Sequence, residues 1–171
     1  MNKLELLDET HDRRAFDCGS DPLNLFVRQV AKQHLKRGIS RTFVLVSADS
    51  EAPKPILGFF SLSACEGDAS DLPPSVAKKL PRKIPAVRLG RLAVSKSAQG
   101  KGLGSGLLGL AMRKTALSAE FIGVAGMFVD AKDEGAARFY QRFGFEPLPD
   151  RPLTLFLPIK TIQQAAEKSR E

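Results

Sequence analysis

The sequence predicts a mixed α/β fold, with strands bunched early in the chain and helices interleaved later. Three observations carry this. Short β-branched and aromatic runs alternate with segments of helical period along most of the 171 residues. Residues 99–104, Gln-Gly-Lys-Gly-Leu-Gly, form a glycine-rich turn between an apolar strand pattern and an apolar helix pattern. Composition, 43% hydrophobic and 26% charged, is that of an ordinary globular chain long enough for a full core.

Each element has a local cause. Asp21-Pro22 reads as a helix start, with Asp as N-cap and Pro in the first position. Leu23, Phe26, Val27, Val30, Ala31 and Leu35 then recur at helical spacing until Gly38 stops the helix. Residues 42–46 (Thr-Phe-Val-Leu-Val) and 56–64 are strands, joined by a Ser- and Pro-containing hairpin connection. Pro73 and Pro74 open a short helix over residues 75–80. Residues 86–94 are the third major strand, and the glycine turn leads from it into a helix over residues 102–118. Residues 121–129 form a further apolar strand. Asp133 caps a helix that carries Ala136, Ala137, Phe139, Tyr140 and Phe143 and ends at Gly144. Residues 153–159 are the last strand, followed by a polar tail from residue 160, helical or frayed. No repeat, low-complexity tract or linker divides the sequence, so one domain over residues 1–171 is expected.

Composition narrows the function classes. No run approaches the ~18 apolar residues of a membrane span. The amino terminus turns acidic too early for a secretory signal. Two cysteines, Cys18 and Cys65, fit neither a disulfide framework nor a zinc site, and both read as small buried thiols in a reducing cytoplasm. No metal is expected. The net charge is +7, and its distribution says more than its total. Residues 22–48 hold no acid but carry Arg28, Lys32, Lys36, Arg37 and Arg41. Residues 72–119 again hold no acid and carry ten bases, with Lys78, Lys79, Arg82 and Lys83 tightly grouped. Such a field attracts phosphates, whether of a cofactor or of a nucleic acid. A solvated basic face is the plainer alternative for the Lys78 to Lys83 group.

The hexad at residues 99–104 has the makings of a diphosphate cradle. N–H groups in the first turn of a helix lack intrahelical partners and lie at the positive end of its dipole. Glycines let the backbone approach an anion and adopt positive φ, and Lys101 adds a formal charge. The P-loop pattern fails because no Lys-Ser/Thr pair follows the last glycine. The dinucleotide fingerprint fits in spacing, but its acidic ribose partner should end a second strand, and Glu120 precedes one instead. A glycine-rich loop alone is a weak signal, and the neighbouring residues must decide.

They do so through two elements in a fixed order. The hexad and its flanking strand and helix, followed by Ala137-Arg138-Phe139-Tyr140-Gln141-Arg142-Phe143-Gly144-Phe145, resemble the GNAT acetyltransferase superfamily over residues 40–158. The resemblance implies a twisted, mostly antiparallel mixed sheet, splayed where acetyl-CoA inserts, with helices on both faces. A narrower resemblance spans nearly the whole chain. His11-Asp12-Arg13, Phe16-Asp17-Cys18-Gly19, Leu23-Asn24, the Ser40 to Val44 and Arg88 to Val94 segments, and Leu153-Thr154-Leu155-Phe156-Leu157-Pro158 are similar to the TacT-like GNAT toxins of bacterial type II toxin–antitoxin modules. That family acetylates the α-amine of aminoacyl-tRNA and stops translation. It implies a ribbon-helix-helix antitoxin as partner, operator DNA reached only through the antitoxin complex, a homodimer, and a cytoplasmic location.

By that resemblance the backbone of Leu92, Ala93 and Val94 pairs with the pantetheine arm, and N–H groups of Gly100, Lys101, Gly102, Leu103 and Gly104 take the diphosphate. Arg91, Gln99 and Lys101 are side-chain candidates there. Tyr140, the only tyrosine, is the candidate general acid, since a phenol with pKa near 10 stays protonated at neutral pH; a core aromatic with its hydroxyl tied elsewhere is the plainer alternative. Lys32, Lys36, Arg37, Lys78, Lys79, Arg82, Lys83 and Arg88 are candidates for tRNA phosphates. No carboxylate is evident as general base, Glu66 and Asp68 being the nearest in sequence. His11 and His34 read as surface or satisfied side chains. A GNAT enzyme acting on a protein lysine or small amine, and a non-catalytic nucleic-acid or partner-binding module, remain as alternatives.

Overall fold

The structure, a computed structural model, describes residues 1–168. Contacts divide the chain into two compact units. The first is Met1–Ser63 with Arg91–Leu110; the second is Ala64–Gly90 with the chain from Ala111 onward. The boundaries fall inside β5, β6 and α4, defined below.

In the first unit, β1 (Asn2–Leu6) pairs antiparallel with β3 (Arg41–Ser47), and β3 with β5 (Gly58–Asp68), in the registers Asn2↔Ser47 and Arg41↔Leu62. Strand β1 is absent from the sequence-based expectation. Two short strands, β2 (His11–Asp12) and β4 (Lys54–Pro55), pair in parallel and occupy what the sequence presents as loop. The first helix is α1 (Asp21–Leu25), a π-helical turn over Phe26–Val30, and α2 (Ala31–Arg37). Asp21 lies within its first turn beside Pro22 rather than capping it, and Gly38 ends α2 at φ +68°. That φ value needs glycine, and it lets Ile39 N–H reach the His34 carbonyl at 2.9 Å. The core here gathers Phe16, Phe26, Val27, Val44, Val46, Phe59 and Ala93. Phe59 takes Phe16 edge-on at 5.4 Å and Phe26 stacked at 6.1 Å.

The second unit holds α3 (Pro74–Ala77), most of β6 (Lys83–Val94), the end of α4 (Leu103–Ser118), β7 (Gly126–Asp130), α5 (Glu134–Gln141), β8 (Glu146–Leu148), β9 (Arg151–Pro158) and α6 (Ile159–Lys168). Of the seven strands in the main sheet, four hydrogen-bond here in the order β6-β7-β9-β8. The β6–β7 pairing is parallel, Val87↔Met127 to Leu89↔Val129, and the other two are antiparallel. A Cβ at Gly126 would collide with the Leu157 carbonyl and the Phe156 ring, so β7 must begin on a glycine to lie this close to β9. Ile84, Ala86, Phe128, Leu148 and Phe156 form the core.

One expected strand is corrected. Residues 121–125 lie outside β7: Phe121 and Ile122 donate their N–H groups to the Ser118 carbonyl in the turn that ends α4, and they stand 78% and 61% exposed. An apolar run imitates a strand where the backbone turns. The two cysteines are half-buried rather than buried. The tail from residue 160 is helical through Lys168; residues 169–171 lie outside the described residues.

A network in the first unit sets acid sensitivity. His11 is buried, accepting from Asp8 N–H at Nδ1 and donating from Nε2 to Glu5 Oε1 at 2.9 Å. Lys54, His11 and Lys3 hold the Glu5 carboxyl down at about 2 against an ordinary 4.5. Asp8 is likewise lowered, by its bonds from Thr10. A lowered carboxylate stabilises the fold fully above its unfolded pKa, and that contribution is lost as pH falls through the folded value. Thermal melts should therefore hold steady from pH 7 to 5 and decline between 4.5 and 2. Glu5→Gln should melt below the wild type at pH 7, with the gap closing toward pH 2; a constant gap would exclude Glu5 as the titrating group.

Candidate active site

Strand β6 ends at Val94 and passes through a 3₁₀ turn, Lys96–Ala98, into the glycine hexad. Gly100 and Gly102 stand at φ +81° and +78°, and a Cβ at either would meet open space. Glycine is thus required by backbone conformation and not by crowding. Helix α4 starts at Leu103, and Gly106 N–H bonds the Gly102 carbonyl at 3.2 Å. The N–H groups of Leu103, Gly104 and Ser105 precede that bond and have no intrahelical acceptor. The first turn of α4 carries no acid to compete with an anion. Exposed Lys101 stands between the two positive-φ glycines. Bare N–H groups, an open approach and a local cation fit a diphosphate.

Gln99 and Arg91 both make contacts within the chain. The Gln99 amide donates from Nε2 to the Val94 carbonyl at 2.9 Å and the Cys18 carbonyl at 3.1 Å, so it ties the hexad to β6 and to the segment before α1. The Arg91 guanidinium lies 3.9 Å from the centre of the Phe26 ring. Leu92, Ala93 and Val94 continue β6 beyond its register with β7, with Ala93 buried and its neighbours half-buried.

The second unit supplies the titratable cluster. Tyr140 is buried on α5 and packs edge-on against Phe139 at 5.3 Å and Phe145 at 5.7 Å. It is the more buried of the Phe139–Tyr140 pair. The plainer alternative of a core aromatic shares this burial. Burial, and then the charge of Asp130, push the phenol well above its ordinary range.

Asp130, at the end of β7, is a carboxylate that the sequence does not single out. Arg88 Nη1 donates to both its oxygens at 2.7 Å, and the Thr154 hydroxyl stands 3.4 Å from Oδ1. Arg88 also lies over the Phe128 ring at 5.4 Å, and burial pushes the Cys65 thiol upward. The only sequence signal for Asp130 is an acid directly after an apolar strand. Glu66 is exposed, and Asp68 accepts from Ser70 N–H at 2.9 Å to cap a 3₁₀ turn.

The eight expected phosphate-binding bases divide by unit. Lys32, Lys36 and Arg37 lie on α2; Lys78, Lys79, Arg82, Lys83 and Arg88 lie in the second unit. Lys32 pairs with Glu9 at 3.2 Å, Arg82 with Asp68 at 3.5 Å, and Arg88 with Asp130. Lys36, Arg37, Lys78, Lys79 and Lys83 are exposed. His34 Nδ1 meets Ser40 Oγ at 3.2 Å, so both histidines are satisfied. Among the described residues no helix is long and apolar enough to cross a membrane, and no cluster of three His, Cys, Asp or Glu could hold a metal.

Comparison with known proteins gives this geometry a family. Residues 39–147 match the acetyltransferase (GNAT) domain. The chain is 33% identical over 154 residues, 90% of each chain, to the tRNA-acetylating toxin of Mycobacterium tuberculosis strain ATCC 25618 / H37Rv. Among solved structures it is similar to AtaT complexed with acetyl-methionyl-tRNAfMet, with TM-score 0.87, 33% identity, and coverage of 96% of this chain and 98% of that one. It is also similar to a mutant of the AtaT toxin bound to the C-terminus of the antitoxin AtaR and acetyl-CoA, with TM-score 0.81, 31% identity, and coverage of 95% and 96%.

The hexad yields a direct test. Gly102→Ala places a Cβ at φ +78°, which costs about 1–2 kcal/mol of backbone strain even in open space. Calorimetry should find acetyl-CoA binding weakened by roughly tenfold, while Gly106→Ala, in helix with open space around it, retains the affinity.

Proposed function

The chain belongs to the GNAT acetyltransferase family, in the branch of the tRNA-acetylating toxins, and from that premise we propose that it transfers acetyl from acetyl-CoA to the α-amine of aminoacyl-tRNA and so blocks translation. The observation that carries this is the nearly full-length similarity to the tRNA-acetylating toxin, joined to a chain that keeps both a diphosphate-ready hexad and a buried Tyr140.

Acetyl-CoA, when bound, supplies the acetyl group as a thioester. The N–H groups of Gly100 to Gly104 and the Lys101 ammonium hold its diphosphate, and the backbone of Leu92, Ala93 and Val94 holds the pantetheine arm. Gln99 keeps the hexad in place, and Arg91 braces the same end of β6 on Phe26. Tyr140 carries the proton for the departing thiol; its burial keeps the phenol protonated across the working pH range.

The exposed bases supply affinity for closely spaced phosphates without reading sequence, as an acceptor stem requires. The substrate amine suits the site as well. An α-amine has pKa near 7.7–8.0, against about 10.4 for lysine, and much of it is neutral at pH 7 without a strong base. A ribbon-helix-helix antitoxin restrains the toxin and carries any contact with operator DNA, and the protein works as a homodimer in the cytoplasm. Similarity to AtaT bound to the AtaR C-terminus supports the antitoxin assignment.

Incubation with acetyl-CoA and charged tRNA should yield acetylated aminoacyl-tRNA, at a rate lowered roughly 100-fold or more in Tyr140→Phe. Undiminished product from that variant would remove Tyr140 as the acid. A Lys78→Glu, Lys79→Glu double variant should raise KM for charged tRNA and flatten its salt dependence, with acetyl-CoA affinity unchanged. Turnover of a protein lysine with no response to tRNA or salt would favour the other GNAT substrate class.

A further inference from the structure

The mechanism above leaves one half-exposed carboxylate unused. Asp130 ends β7 immediately after the last parallel pair with β6, Leu89↔Val129. Carboxyl ends of parallel strands are where open α/β sheets receive their ligands. The side chain is 42% exposed, although one Arg88 nitrogen holds both its oxygens at 2.7 Å. The short segment from Asp130 to Asp133, whose carboxylate caps α5 by accepting from Ala136 N–H at 2.8 Å, joins this carboxylate to the helix that carries Tyr140. The Thr154 hydroxyl adds a contact from β9. An oriented charge, open to solvent on one side and fixed to the element bearing the acid, is poorly explained as a surface ion pair.

We propose that Asp130 is a further catalytic residue, whose carboxylate faces the acceptor amine and stabilises the positive charge that develops on the attacking nitrogen, with Arg88 as its positioning residue. This rests on the acetyl-transfer reading above. In that reaction the amine nitrogen bonds the thioester carbon, the carbon–sulfur bond breaks, nitrogen sheds a proton to water, and Tyr140 gives a proton to sulfur and regains one from solvent. Nitrogen is neutral before attack and cationic during it, so a fixed carboxylate stabilises the transition state more than the ground state. Arg88 Nη1 already engages both oxygens of Asp130 and fixes their direction, so the role proposed for this carboxylate is to stabilise charge. Its charge also reaches Tyr140 and opposes loss of the phenol proton. Positive charge on the substrate nitrogen cancels that opposition, so the acid becomes available as the amine attacks.

Tyr140 is the only tyrosine, so fluorotyrosine incorporation labels it alone and brings its titration into reach. In Asp130→Asn without substrate, the labelled phenol should titrate at lower pH than in the Asp130 protein. On charged tRNA, Asp130→Asn should lose about tenfold or more in kcat, with acetyl-CoA affinity by calorimetry within about twofold and the melting temperature nearly kept, and Asp130→Glu should recover part of the rate. An unchanged phenol titration, a kcat within about twofold of wild type, or a parallel collapse of folding and acetyl-CoA binding in both variants would overturn the proposal. A wild type inactive on charged tRNA but active on a simple primary amine overturns only the tRNA reading, and the same comparison on that amine then judges Asp130. A wild type that acetylates no amine overturns both.

Discussion

Strands β6 and β7 run parallel, Val87 opposite Met127 through Leu89 opposite Val129, and a parallel pair cannot be closed by a hairpin. The chain must leave β6 at one end and return to begin β7 at the other, and residues 95–125 make that crossover. Everything chemical in the molecule follows from it. The hexad is the exit from β6, so its glycines fall where a strand gives way to a helix and the first N–H groups of α4 are bare. The parallel register also sets Arg88 beside the end of β7, where it meets Asp130. An antiparallel pairing at this position would need neither the helix nor its unsatisfied N-terminus.

The legible parts of the sequence are those with local causes. Positive-φ glycines, the Gly38 stop, the Asp133 cap and the Ala137–Tyr140 face of α5 are each set within a few residues, and the structure has them where the pattern puts them. The illegible parts depend on distant partners. Arg88 and Asp130 are separated by 42 positions, and only the β6–β7 register brings them together. Within its own segment Arg88 looks like one more base in an acid-free stretch. Strand β1 escapes the pattern because Asn2, Lys3 and Glu5 make it polar, and its pairing with β3 supplies what its apolar content does not. Residues 121–125 mislead for the opposite reason: Phe121 and Ile122 are apolar, yet the turn closing α4 leaves both in solvent. Gln99 reads as a ligand contact because its position in the motif is legible and the two carbonyls that hold it are not.

The two units also divide the electrostatics. In the first, acids are drawn into local networks: Glu5 by Lys54 and His11, Asp17 by Gly19 N–H and Asn24. Lys36 and Arg37 of α2 stay exposed outside these networks. In the second unit Asp68 and Asp130 each meet an arginine. The lysines at 78, 79 and 83 keep their field because nothing of opposite sign lies near them in sequence.

That arrangement bears on which amine the site serves. A GNAT enzyme acting on lysine must remove a proton from an ammonium that is almost wholly charged at pH 7, and needs a base with a raised pKa in an apolar setting. Asp130 is placed differently, with arginine at 2.7 Å and a side chain open to water on one side. That geometry holds an oriented negative charge, with both oxygens engaged by Arg88. An aminoacyl ester calls for a fixed charge more than for a strong base, because its α-amine is largely neutral before it attacks and becomes cationic as it does so. The arginine that orients Asp130 therefore fits it to a substrate that arrives already deprotonated.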